Sequence, residues 1–243
     1  MKIIIVSQTA WSNDNSFGSS FSNIFGDIDE VEIANVYCNY GNPKNNMANK
    51  YFQITEKSLL KNLRDKKNPI GQEILKNDIS ESLNDSENEI FNHARKRRLQ
   101  IYFWIRDLIW VIGRWNSTEL KNFIIDFEPD MLFQPLYYSN YMNDIILFVK
   151  QFTNAPMVCY VSDDVYTMRQ FSLSPLFWID RFIKRKKIKK VVEQCEYLYV
   201  ISDIQKKDYE KCFKKVCKIL TKGASFSDPI LRHSVNLPLK LVY

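Results

Sequence analysis

Three adjacent polar side chains, Ser162, Asp163 and Asp164, follow the apolar run from Met157 to Val161. This run is β-branched and aromatic, too short for a helix and without alternation, so it predicts a strand buried on both faces of a sheet. Open α/β sheets bind their ligands at the carboxyl ends of such strands. Because two adjacent carboxylates cannot both point into one cleft, we expect one to cap a turn and the other to face a ligand.

A second candidate site follows the apolar run from Lys2 to Ser7. There a polar loop leads to Phe17, Gly18, Ser19 and Ser20 at the predicted start of a helix. A strand, a small-residue loop and a helix start place backbone N–H groups at the carboxyl edge of the sheet, where they can bind an anion. The sequence contains neither GxGxxG nor GxxxxGK[ST], which disfavours nicotinamide enzymes and phosphate-loop proteins.

The elements that must position these residues alternate along the chain. Strands are predicted at 2–7, 31–38, 51–55, 131–135, 157–161, 197–201 and 217–220, and helices at 56–65, 94–115, 117–127, 141–152, from 174 onward, and at 203–213. This order predicts an α/β fold, a doubly wound, mostly parallel Rossmann-like sheet with helices on both faces, over residues 1–225.

Two segments do not fit that sheet. Residues 66–92 are rich in Asn, Asp, Ser, Glu and Lys, so we expect an exposed insertion there. Residues 226–243 end in an apolar, strand-like run. We interpret them as a linker and the first strand of a second domain, which suggests a truncated chain.

Composition excludes several classes. The 243 residues are 45% apolar and carry a net charge of +6, and they can form one large core or one domain plus a fragment. The five cysteines form no Cys-x-x-Cys pair and the two histidines stand apart, so we expect reduced packing thiols, no metal site and no cofactor. The thiols suggest a cytoplasmic protein, and no apolar run is long enough to span a membrane.

The positive charge is concentrated in two segments. Residues 95–115 carry six basic side chains and one acidic, and residues 180–190 carry seven basic and one acidic, so the rest of the chain is net negative. Two cationic patches on an acidic body predict an anionic partner, and no nucleic-acid motif accompanies them.

The helix predicted at 94–115 has a core stripe at 100° per residue, formed by Ile101, Trp104, Ile105, Leu108, Val111, Ile112 and Trp115. Its opposite side interleaves basic and aromatic residues, among them Arg98, Phe103, Arg106 and Trp110. That mixture is typical of a membrane-interfacial surface, and equally of a helix buried on two sides whose arginines reach solvent.

The helix that begins at Ser174 turns from apolar to basic along its length. Its first part holds Phe177 and Trp178, and its basic residues are Lys184, Arg185, Lys186, Lys187, Lys189 and Lys190. Such a run suits acidic lipid head groups, although a solvated helix end has the same composition. We expect peripheral binding at the inner face of the cell membrane.

The pattern resembles the amino-terminal half of GT-B glycosyltransferases, close to the family 4 (group 1) enzymes that build bacterial surface polysaccharides such as capsule. The resemblance covers Met1 to about Gly223 and rests on three places: the first strand with its Gly/Ser loop, the segment YVSDDVYT, and the segment YVISDIQKKDY. Lys222-Gly223 stands where the family commonly has Asn-Gly, and LKLVY resembles the first strand of its second domain.

The resemblance implies a retaining transfer of sugar from a nucleotide-sugar donor to a lipid-linked or saccharide acceptor. The first domain of such enzymes receives the acceptor, and the second binds the donor. Gly18 and Ser19 would approach the donor phosphates, and Ser162 would stand where the family often has histidine. The role of catalytic proton acceptor then passes to Asp163 or Asp164, or is not needed. The acceptor- or donor-binding candidates are Phe17, Gly18, Ser19, Ser20, Tyr137, Ser139, Ser162, Tyr166, Lys222 and Gly223.

Two other readings remain open. The chain would be a non-catalytic acceptor or scaffold subunit of a split enzyme if its donor-binding half were another polypeptide. A nucleotide-binding regulator would keep the sheet but use it for a different ligand.

Overall fold

The computed structural model of the protein describes residues 1–44, 47–74, 100–169 and 172–223, with only the backbone described at 100–103. The strands are β1 Lys2–Ser7, β2 Glu32–Tyr37, β3 Lys50–Ile54, β4 Gly71–Ile74, β5 Met131–Pro135, β6 Met157–Val161, β7 Tyr197–Val200 and β8 Cys217–Ile219. The helices are α1 Ser16–Phe25, α2 Glu56–Arg64, α3 Gln100–Ile112, α4 Thr118–Phe127, α5 Asn140–Gln151, α6 Pro175–Gln194 and α7 Asp203–Phe213. The second-domain segment predicted at 226–243 lies outside the described residues.

All eight strands form one sheet in the order β4-β3-β2-β1-β5-β6-β7-β8. Every neighbouring pair is parallel except β3 and β4. The chain winds outward from β1 in one direction and then from β5 in the other, so the predicted doubly wound, Rossmann-like α/β fold is confirmed. The switch point between the two directions lies between β1 and β5.

At this switch point β1 and β5 pair only through Ile3 with Met131 and Ile4 with Leu132. Beyond these pairs the side-chain amide of Gln134 joins the two strands. Its Oε1 accepts the N–H of Val6 at 2.7 Å and its Nε2 donates to the carbonyl of Ile4 at 2.8 Å. A buried side chain thus supplies the hydrogen bonds that a neighbouring backbone would otherwise make.

The two faces of the sheet carry separate cores because successive strand residues point to opposite sides. Ile3 and Ile5 face a core that α1 covers with Phe21 and Phe25. Ile4 and Val6 face the larger core, to which each of the other six described helices contributes buried apolar residues. The helices expected on both faces are present, although unequally divided.

Part of the predicted insertion at 66–92 is a strand. β4 pairs antiparallel with β3, with Tyr51 opposite Ile74 and Ile54 opposite Gly71. A Cβ at Gly71 would lie 2.5 Å from the Phe52 ring, so a glycine is needed for the close approach. Residues 75–92 of the predicted insertion lie outside the described residues.

The core stripe predicted for the helix at 94–115 is wrong at most of its described residues, although Trp115 packs against the core as predicted. Trp110, expected on the outer side, is 1% exposed, whereas Val111 of the predicted stripe is 75% exposed. The exposed residues of that stripe are Trp104, Ile105, Leu108, Val111 and Ile112. The helix turns its other side inward because the Trp110 indole stacks on Tyr141 at 4.4 Å and donates to Glu56 Oε1 at 3.1 Å.

Candidate functional site

The candidate site lies at the carboxyl edge of the sheet, where the parallel strands end together. Ser162, Asp163 and Asp164 follow β6, and Thr221 and Lys222 follow β8. Both groups lie on the side of the switch point that contains β5 to β8. The edge is the place where sheets of this order bind ligands.

Asp164 is a structural cap for the loop that follows β6. Its Oδ1 accepts the backbone N–H of Tyr166 at 3.2 Å and of Thr167 at 2.9 Å, and the Tyr209 hydroxyl at 3.3 Å. The Thr167 hydroxyl donates to the other oxygen. Partial burial opposes ionisation, but the hydrogen bonds from Thr167 and Tyr166 outweigh it and lower the pKa of Asp164.

Asp163 is the carboxylate that remains for a ligand. It is exposed at the edge, and its Oδ2 accepts the hydroxyl of Ser162 at 3.3 Å. Both predicted catalytic carboxylates are exposed, but Asp164 is committed to hydrogen bonds within its loop and Asp163 is not.

A depression of about 290 Å³ adjoins Asp163, and it is lined by Tyr160, Ser162, Ile201, Thr221 and Lys222. The structure thus brings two predicted binding residues, Ser162 and Lys222, to one place. Hydroxyl groups and an ammonium group together suit a ligand that carries hydroxyls and negative charge.

Tyr160 is the lining residue that the sequence analysis missed. Its side chain is buried, and its hydroxyl has no hydrogen-bond partner among the described residues. Burial, with the nearby charge of Asp163, raises the pKa of Tyr160, so the phenol remains a hydrogen-bond donor. The sequence does contain a signal for Tyr160. In a strand, residues two apart point to the same side, so Tyr160 should lie on the same side as the candidate residue Ser162.

The Gly/Ser loop is packed more tightly than an open anion site requires. The N–H of Gly18 donates to Asn15 Oδ1 at 2.8 Å, and a Cβ at Gly18 would lie 2.0 Å from the Ser12 carbonyl oxygen. The Ser20 hydroxyl donates to the Ser16 carbonyl. Phe17 packs edge-on against Trp11 at 5.4 Å. Gly18 is thus a close-packing residue with a satisfied N–H, and of the four candidates only Ser19 is exposed.

The remaining candidates near the switch point also have structural contacts. Gln8 donates through its backbone N–H to Tyr137 Oη at 3.3 Å and through its side chain to Tyr141 Oη at 3.1 Å. Burial raises the pKa of both tyrosines. Ser139 is buried at the N-cap position of α5, where its carbonyl accepts the Asn143 side-chain amide at 2.8 Å but its hydroxyl has no hydrogen-bond partner among the described residues.

Two arginines of α6 hold the loop that carries Asp163 and Asp164. Arg181 donates to the carbonyl of Thr167, and Arg185 donates to the carbonyl of Tyr166. The Arg185 guanidinium also lies 3.9 Å from the centre of the Tyr166 ring. Tyr166 is buried and helps to hold the loop in place. Arg181 is a positioning residue for the same loop, and the sequence analysis did not identify it.

Gly223 is exposed at the end of the described chain, where a Cβ would lie 3.9 Å from Asn23 Oδ1. Lys222 and Gly223 therefore lie on the side of the sheet that α1 covers. This places the segment after β8 beside the depression.

The predicted membrane-binding residues divide into four groups: buried, half-buried with partners inside the protein, exposed, and outside the described residues, and Arg185 belongs to the second group. Trp110 and Lys184 are buried, so the prediction that they contact a membrane is wrong. Lys184 instead pairs with Asp180 at 2.7 Å, Lys187 pairs with Asp144, and Arg106 lies 5.2 Å from the Tyr141 ring centre. Lys186, Lys189 and Lys190 are exposed, whereas Arg98 and the Phe103 side chain lie outside the described part of the protein.

The residues that the structure describes lack two further features. They contain no cluster of three or more His, Cys, Asp or Glu side chains arranged to hold a metal ion. None of the helices in the described ranges is long and apolar enough to cross a membrane.

The site is thus a polar depression at the carboxyl edge of a doubly wound sheet, with one exposed carboxylate, three hydroxyl side chains and one lysine around it. Comparison of the chain with protein-family models finds no family that matches, and comparison with curated proteins finds no relative.

Proposed function

We propose that this chain is the acceptor-binding half of a sugar-transfer enzyme whose nucleotide-sugar donor is held by a second domain. The observation that carries the proposal is the depression lined by Ser162, Lys222 and Tyr160, whose buried hydroxyl has no hydrogen-bond partner among the described residues. A saccharide supplies the hydroxyl groups that such a surface can pair, and a donor or lipid-linked acceptor supplies phosphate for the lysine. The resemblance to the first half of GT-B glycosyltransferases supports the same assignment.

The chemistry follows from the positions of Asp163 and Lys222. In sugar transfer, an acceptor hydroxyl oxygen forms a bond to the anomeric carbon while the bond from that carbon to the diphosphate breaks. The hydroxyl proton passes to a carboxylate, for which Asp163 is the candidate because Asp164 already caps the loop. The negative charge that develops on the departing diphosphate needs a cation, and Lys222 would supply one from this half.

We further propose that the protein works at an anionic membrane surface, where lipid-linked acceptors are held. The exposed cations Lys186, Lys189 and Lys190 support this location.

The proposal is tested by calorimetric titration of the chain with diphosphate sugars and, separately, with mono- and disaccharides. We expect saccharide binding that Asp163→Asn and Tyr160→Phe each weaken about tenfold, as for one lost hydrogen bond to a ligand. Asp126→Asn is the matched control, because Asp126 is an exposed carboxylate on α4.

Three outcomes are informative. Saccharide binding that both site variants weaken supports the proposal. An absence of saccharide binding, or binding that neither variant alters, contradicts it. Tight nucleotide binding without saccharide binding favours a nucleotide-binding regulator instead.

A further inference from the structure

Helix α6 is oriented with charged residues inward and apolar residues outward over its first half. Asp180, Arg181 and Lys184 are buried, whereas the outward residues are 49% to 60% exposed. These outward residues are Leu176, Ile179, Phe182 and Ile183. Leu173, just before the helix, is 89% exposed.

The buried charges have a structural purpose. Lys184 pairs with Asp180 at 2.7 Å, and the ring centre of Tyr138 lies 4.5 Å from the Lys184 ammonium. Arg181 donates to the loop after β6 and lies 4.9 Å from the same ring. This half of α6 therefore rests on the loops that follow β5 and β6, at the edge of the sheet that carries the candidate site. The inward positions of this half of α6 are occupied by the charged residues. The outward apolar residues therefore do not pack in the core of the protein.

The second half of the helix reverses the arrangement. Ile188, Val191 and Val192 enter the large core, and the outward residues become lysines. Spacings of three and four residues align one outward stripe along the helix, formed by Leu176, Ile179, Ile183, Lys186 and Lys190. One side of a single helix is therefore apolar for its first turns and cationic afterwards.

Helix α3 extends the apolar area. Its Asp107 accepts a hydrogen bond from the side-chain amide of Asn140 at 3.1 Å, and Tyr138, two residues earlier, contacts Lys184, so α3 and α6 both pack against the segment that follows β5. On α3 the exposed Trp104 and Val111 lie within about 60° of Asp107 around the helix axis. Leu176 and Ile183 lie equally close to Asp180 on α6. Exposed apolar residues on both helices thus lie close in angle to the residues that face this segment.

We propose that this docking surface, the outward stripe of α6 with Phe182 and the exposed residues of α3, binds an anionic lipid bilayer. The apolar residues would enter the acyl region, and Lys186 and Lys190 would lie at the level of the phosphates. The inference rests on the proposed function and deepens it, because it places the candidate site, on the adjoining loops, near an acceptor held in the membrane.

The order of polarity favours lipid over a second copy of the chain. Two stripes paired in parallel would bring the lysines together, and two paired in antiparallel would set lysines against apolar residues. A bilayer with anionic head groups above acyl chains matches both parts of the stripe at once.

The experiment is vesicle flotation of the whole chain with phosphatidylcholine alone and with roughly one third phosphatidylglycerol. We expect binding to the anionic vesicles that falls at about 0.5 M salt. The variants Ile179→Ser/Ile183→Ser and Lys186→Glu/Lys190→Glu should each weaken binding about tenfold. The matched controls Ile204→Ser and Lys207→Glu/Lys211→Glu change exposed residues of α7 and should bind as the unmodified chain does.

Binding to neither vesicle, or equal losses in variants and controls, would overturn the inference. So would a concentration-dependent dimer, measured by light scattering, that Ile179→Ser/Ile183→Ser dissociates. Circular dichroism of each variant checks the fold. Because vesicle flotation contains no sugar and the saccharide titration contains no lipid, the docking surface and the saccharide-binding site can fail independently.

Discussion

At the scale of single residues, Asp163 and Asp164 show how neighbours of identical chemistry acquire different roles. Asp164 turns toward the backbone of its own loop and the Tyr209 hydroxyl, whereas Asp163 stays at the open edge. The sequence predicts a division of roles but not which residue takes which, because the direction of each side chain depends on the turn after β6 and on a tyrosine 45 positions away.

We expect Asp164→Ala to lower the free energy of unfolding by about 1 kcal/mol, as for a lost capping side chain. The loop would then leave the N–H groups of Tyr166 and Thr167 without their acceptor. Urea unfolding measures the change, and Asp163→Ala is the control that should leave stability unaltered. Equal losses in the two variants would show that Asp164 has no special structural role.

The same pair predicts a pH dependence. The folded-state pKa of Asp164 lies below its ordinary value of 3.8, so the ionised form stabilises the fold. This contribution is complete well above pH 3.8 and is lost as the pH falls through the folded-state pKa. The stability difference between the unmodified chain and Asp164→Ala should therefore shrink on acidification, and a difference that stays constant between neutral pH and about pH 3 would contradict this.

At the scale of elements, α3 shows where periodicity misleads. Its apolar residues surround most of the helix, so the spacing alone cannot decide which side is buried. Trp110 decides it, because its indole needs both an aromatic neighbour, Tyr141, and a hydrogen-bond acceptor, Glu56. Both partners lie on other elements, where a helical wheel cannot find them.

We expect Trp110→Ala to cost about 3 to 5 kcal/mol of unfolding free energy. Val111→Ala, one position further on the outward side, should cost less than about 0.5 kcal/mol. Chemical denaturation of the two variants measures the difference. A larger loss of unfolding free energy in Val111→Ala than in Trp110→Ala would mean that the predicted core stripe is correct.

The strands were the most predictable elements. β1, β5 and β6 occupy the predicted residues, since continuous apolar runs bounded by polar residues leave little choice. β4 escaped prediction because Gly71, Gln72 and Glu73 carry no apolar pattern, and only pairing with β3 makes them a strand. Similarly, Ser162 and Lys222 were found individually, but their meeting with Tyr160 depends on the sheet order.

At the scale of the whole molecule, the sheet separates two cores that share no side chains. Phe21 lies in the core under α1, and Ile145 lies in the core on the opposite face. Truncation of either residue leaves a cavity that only its own face can fill.

We therefore expect the losses of stability in Phe21→Ala and Ile145→Ala to add in the double variant, to within about 0.5 kcal/mol. Urea denaturation of the four proteins completes the cycle. A coupling above about 1 kcal/mol would mean that strain passes through the sheet from one core to the other.

The amide of Gln134 has a consequence for how the two halves of the sheet find each other. Few backbone pairs align β1 with β5, so the alignment depends on one side chain that fits a single donor and a single acceptor. A slip by one residue would turn this amide to the other face and leave Val6 and Ile4 unsatisfied in a dry interior. The Gln134 amide thus selects one register between β1 and β5. In that register the loops after β1 and β5 lie together at the switch point.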